Sequence, residues 1–171
     1  MVDDDVPDPP DPSGPSEDPD ALLAGYGRAL ADAVDAALPA WVDRSVRRVA
    51  GAQGLALDAA AEASLRAAGE AARADGVTRL RELLAADVDR QVGSPLAILR
   101  SLVRYPTEVL RSLGARPVAR DEFAERSFPD DVYDLSPAAF ADVDPALHEP
   151  GMAWGAAKAY THLHRRRGQA G

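Results

Sequence analysis

From residue 20 onward, apolar residues return every three or four positions, and no stretch of strand length alternates at period two. Leu23, Tyr26, Leu30, Val34 and Leu38 make the first such stripe, with Arg28, Asp32 and Asp35 off it. Helices that each carry one apolar stripe bury those stripes against one another. The expected fold is therefore all-α, an irregular bundle of about five to six helices. No period of roughly 20–50 residues repeats, so a solenoid is not expected.

Cap and breaker residues divide the chain. Asp20, after Pro19, reads as the N-cap of the first helix, and Pro39 kinks that helix or starts a new one. A second stripe, Val42, Val46 and Val49, runs to the turn at residues 51–54. Asp58 caps the next helix, which reaches to about residue 91. Its first half shows a face of small residues, Ala61, Leu65, Ala68, Ala72 and Gly76, suited to close helix approach. Its second half carries Val77, Leu80, Leu84 and Val88, and Asp75–Gly76 marks a break between the halves. Ser94–Pro95 starts a further helix, and Tyr105–Pro106 ends it. Pro106 opens another that stops at Gly114, and a shorter one spans 120–127. Met152 to Arg167 makes the last, with Trp41 and Trp154 as expected core anchors.

Charge separates the ends of the chain from its body. Residues 1–20 hold eight acids, six prolines and no base, a composition that cannot bury enough to fold. Of 28 acidic residues, 20 then remain against 19 basic ones, so most of the net charge of −9 belongs to the leader. Residues 1–19 are accordingly read as a disordered acidic tail, 20–167 as one helical domain, and 168–171 as a frayed end. Within the domain, 128–150 carries six acids and no Lys or Arg, with turn signals every few residues. Ser136–Pro137 and Asp144–Pro145 each look like the start of one helical turn. Phe128, Val132, Tyr133, Leu135, Phe140 and Leu147 are too many apolar residues for a free linker, so the segment is expected to wrap against the helices.

Several chemistries find no residues to carry them. With no cysteine, disulfides, thiolate metal sites and a cysteine nucleophile are excluded. No phosphate-binding glycine loop, nucleophile elbow or His-Glu-x-x-His motif occurs. The N-terminus lacks a signal-peptide pattern and no apolar run reaches the ~18 residues of a membrane span, which predicts a cytoplasmic protein. The sharpest motif is Asp130-Asp131-x-x-Asp134, which resembles the magnesium–diphosphate motif of isoprenyl diphosphate synthases. Carboxylates one turn apart can share a hard cation, and His148 stands further along. The chain departs from that family in having Pro129 directly before the motif and no second copy of it. A second candidate is basic. Arg100, Arg104, Arg111 and Arg116 are offset over 95–116 by Glu108 alone, a net of +3, and Arg165–Arg167 close the last helix. Such clusters suit phosphate, and they equally suit the solvated face of an amphipathic helix.

The C-terminal half, with FPDDVYDLSPAAF, DVDPALHEPG and WGAAKAY between Phe128 and Tyr160, resembles a family of uncharacterised actinobacterial proteins. The preceding stretch from Arg104 shares the likeness, and it implies no activity, cofactor or partner. The leading expectation is a non-enzymatic interaction or regulatory protein that acts through a protein partner or as a homo-oligomer. The first alternative is a small metal-dependent enzyme or binder at Asp130, Asp131 and Asp134, the only place where a cofactor, a divalent metal, is foreseen. The second is a nucleic-acid-associated regulator using the arginines.

Overall fold

The computed structural model describes residues 18–86, 94–118 and 131–169. Among them every regular element is helical: α1 (Pro19–Ala52), α2 (Ala59–Ala85), α3 (Pro95–Ser101), α4 (Arg104–Ser112), the short α5 (Phe140–Val143) and α6 (His148–Gln169). A 3-10 turn, Pro145–Leu147, links α5 to α6.

The long α1 is the spine. Leu30, Val34, Leu38, Val42 and Val46 lie fully buried along it. α2 runs antiparallel beside it, a direction fixed by the ion pairs Arg47–Glu62, Arg73–Asp35 and Arg81–Asp32 at successive levels. The small face of α2 does what its residue types allow. Ala61, Leu65, Ala72 and Gly76 are buried, Ala68 is half-buried, and Gly69, not among the residues expected there, is buried beside them. A Cβ at Gly69 would stand 3.3 Å from Pro39 Cα, and one at Gly76 would stand 2.6 Å from Leu102 Cδ1. α3 and α4 pack against α2, with α4 also reaching α1. α6 lies antiparallel along the first half of α1. Thr161 Oγ1 donates to Pro19 O at 3.0 Å, and Trp154 packs beside Gly27.

Several boundaries differ from those read in the sequence. α3 ends at Ser101 and α4 opens at Arg104, so Tyr105–Pro106 lies inside α4 and does not divide the two. The first cap is Asp18, whose carboxylate accepts from Asp20 N at 3.1 Å, because Pro19 occupies the first helical position and donates nothing. α1 continues through Pro39, and α2 continues through Asp75–Gly76. In both places buried contacts on either side hold the helix together against a weak local preference. The last helix begins at His148, four residues before Met152, because the 3-10 turn capped by Asp144 feeds directly into it. At the second expected start, Ser136–Pro137, no helical turn forms; α5 begins at Phe140. Capping elsewhere follows expectation: Asp58 accepts from Ala61 N and Ser94 from Ala97 N. Gly114 closes α4 with φ +74. The helix expected at 120–127, the last turn expected beyond residue 86, and the acidic leader before Asp18 lie outside the described residues.

Candidate functional site

The segment 131–147 is pinned to the bundle from two sides. Tyr133, Leu135, Val143 and Leu147 insert into the core, and the Tyr133 hydroxyl donates to Ala115 O at 3.0 Å. From the bundle, three arginines reach its carbonyls. Arg44 Nη2 donates to Val143 O, Arg48 Nη2 to Asp134 O at 3.1 Å, and Arg100 Nε to Pro137 O at 3.1 Å. Backbone carbonyls left outside regular structure need donors, and guanidiniums supply them.

The aspartate motif works within this turn. Asp131 is 1% exposed, and its carboxylate accepts from Leu135 N at 2.9 Å and Ser136 N at 2.6 Å. Asp134 sits at the bend with φ +56, a left-handed conformation that aspartate tolerates better than most residues. Asp134 is exposed where Asp131 is buried. Asp130 lies outside the described residues. His148 is exposed at the start of α6. Among the described residues no three His, Asp or Glu side chains converge as a metal ligand set.

The arginines of the basic candidate are drawn to different tasks. Arg100 holds the wrapped segment. Arg104 donates to Asp75 at 3.1 Å and to the Tyr105 hydroxyl at 2.9 Å. The Tyr105 hydrogen bond first, and the charges of Asp75 and Glu108 after it, raise the Arg104 guanidinium above its ordinary range. Arg116 is tied through its backbone, whose N–H and C=O both pair with the Gln53 side chain at 2.8 Å. Arg111 is exposed on α4.

A groove of about 610 Å³ separates α1 from the wrapped segment, lined by Arg44, Arg48, Ser45, Asp134, Ser136 and Asp142 among others. Ser136 Oγ is buried there without a partner. Its lining holds two carboxylates and two guanidiniums, so its net charge is close to neutral.

The remaining feature is apolar, and the sequence reading passed over it. Five large hydrophobic residues stand exposed among the described residues, and three of them share one helix: Met152, Tyr160 and Leu163 on α6, exposed by 63%, 52% and 54%. With Ala156 and Ala159, also exposed, they fall within an arc of about 100°. The opposite face of α6, Gly151, Trp154, Ala157 and Thr161, is the one buried on the bundle. Arg166 and Arg167 end the outer face and Glu149 begins it, all exposed. His164 packs edge-on to Tyr160, ring centroids 6.2 Å apart. The only signal available in the sequence was that α6 carries large apolar residues on more than one side.

Comparison with protein-family models, with curated proteins and with solved structures finds no match to this chain.

Proposed function

We propose that this protein is a non-enzymatic helical interaction protein that docks through the outer face of α6. One observation carries the reading: Met152, Tyr160 and Leu163 form a continuous exposed apolar stripe on a helix whose other face is already satisfied. Scattered exposed hydrophobics are ordinary on a protein surface, whereas a contiguous stripe rimmed by charge marks a contact surface. Tyr, Met and Arg are also residue types enriched at the centres of interfaces. The wrapped segment supports this reading from behind, since Leu147 and Gly151 anchor the start of α6. It acts there as a brace. No helix among the described residues is long and apolar enough to cross a membrane.

The test is native mass spectrometry of the full chain, isolated gently from its own host, beside a Leu163→Glu variant. The expected result is a bound protein chain on the parent that is lost from the variant, with helicity unchanged. The same bound chain on both, or a bare chain in both, would remove the proposal.

A further inference from the structure

We infer that the occupant of this face is a second copy of the same chain, with the two α6 helices antiparallel about a two-fold axis. The inference rests on reading the face as a docking surface and names its partner. A two-fold interface must be complementary to itself, and this stripe is. Its midpoint lies between Ala156 and Ala159, and Met152 and Leu163 stand at equal distances on either side. Antiparallel pairing about that midpoint sets Met152 of one copy against Leu163 of the other, and Ala156 against Ala159.

The charges agree. Glu149 and Arg166 are exposed at opposite ends of the face, and neither makes an ion pair among the described residues. The same register brings Glu149 of one copy to the level of Arg166 and Arg167 of the other, at both ends of the pair. Parallel pairing would set Arg166 and Arg167 against their own counterparts. Ala156 and Ala159 at the centre let the helix axes come close. One helix pair buries less than the roughly 1,200–2,000 Å² of a standard stable interface. The dimer is therefore concentration-dependent and exchanges its chains.

The absence of cysteine makes the register directly testable. Full-length Met152→Cys and Leu163→Cys chains are prepared separately, then mixed and oxidised mildly. In the inferred dimer, like cysteines lie about 16 Å apart along the axis, from the 1.5 Å rise per residue, while unlike ones meet. The mixture should give roughly tenfold more disulfide dimer than either variant alone, because pairing raises the local thiol concentration. Glu149→Arg and Arg166→Glu should each lower that yield, and the two together should restore it. Equal yields in the mixture and the single variants, with a monomeric parent by ultracentrifugation at every concentration, would overturn the self-pairing. If a different chain is then found shielding both cysteines from a maleimide, the docking face stands and the second copy falls. If both cysteines label freely and nothing is bound, the docking face falls with it.

Discussion

α2 and α6 are both rich in alanine and both lie antiparallel against α1, yet they end in opposite states. α2 turns its small residues inward, so that Gly69 meets Pro39 and Gly76 meets Leu102 at close range, and it hides Leu65, Val77 and Leu80 with them. α6 also turns small residues inward, Gly151 against Phe140 and Ala157 against α1, but leaves Met152, Tyr160 and Leu163 outside. Close helix approach is decided by where the small residues fall, and the large apolar residues stand either with them or on the opposite side. On α2 their side meets α1, α3 and α4; on α6 it meets solvent.

Matched substitutions on the two helices sharpen this contrast. Leu80 is fully buried on α2, and Leu80→Ala is expected to lower stability by about 2–5 kcal/mol in denaturant unfolding. The same change at Leu163 should stay within about 0.5 kcal/mol at dilutions where copies do not meet. Equal losses at the two positions would erase the distinction. Glycines repeat the comparison at smaller scale. Gly76→Val is expected to destabilise by about 1–3 kcal/mol, since Leu102 and Leu38 leave no space for it. Gly155→Ala on α6 should stabilise by about 0.5–1 kcal/mol, because its site is open and alanine is the better helix former.

The brace behind α6 is probed through Asp131. Asp131→Ala should cost about 1–3 kcal/mol for each of the two amide donors it strands, Leu135 N and Ser136 N. An Asp134→Gly change should be neutral or slightly stabilising, since it relieves a left-handed aspartate. A metal-binding reading of the motif predicts instead that both changes abolish a cation-dependent rise in melting temperature.

The smallest expected effect is electrostatic. The hydrogen bond from Arg47, foremost among the causes, holds the exposed Glu62 carboxyl below its ordinary range. A depressed carboxylate stabilises the fold above its unfolded pKa, and that contribution is lost as pH falls through the folded value. Glu62→Gln should therefore lower stability slightly at neutral and alkaline pH, with the difference from the parent closing as pH falls through the folded value. Deleting residues 1–17, which spares the Asp18 cap, should leave melting nearly unchanged.

Much of the fold could be read from residue spacing. The helical stripes, the caps at Asp58 and Ser94, the stop at Gly114 and the small face of α2 all act locally, so local sequence shows them. Pro39 and Gly76 misled because burial on both flanks outweighs their propensity. The aspartate motif was visible as a motif, but its use was not. Whether Asp131 faces a cation or its own backbone depends on a turn closed by Arg48, distant in sequence. The arginine cluster likewise dissolved into separate contacts with Pro137 O, Asp75 and Gln53. The outer face of α6 was least legible, since hydropathy shows that a residue is apolar and not which side of its helix a neighbour will cover.

The most direct test of the account is sedimentation across a wide concentration range for the parent chain and for a Met152→Glu, Leu163→Glu double variant. A dimer through α6 predicts an associating parent, a variant that sediments as a single chain throughout, and the same melting temperature for both when dilute. A variant that associates as the parent does, or one that unfolds because those side chains were needed inside, would contradict it.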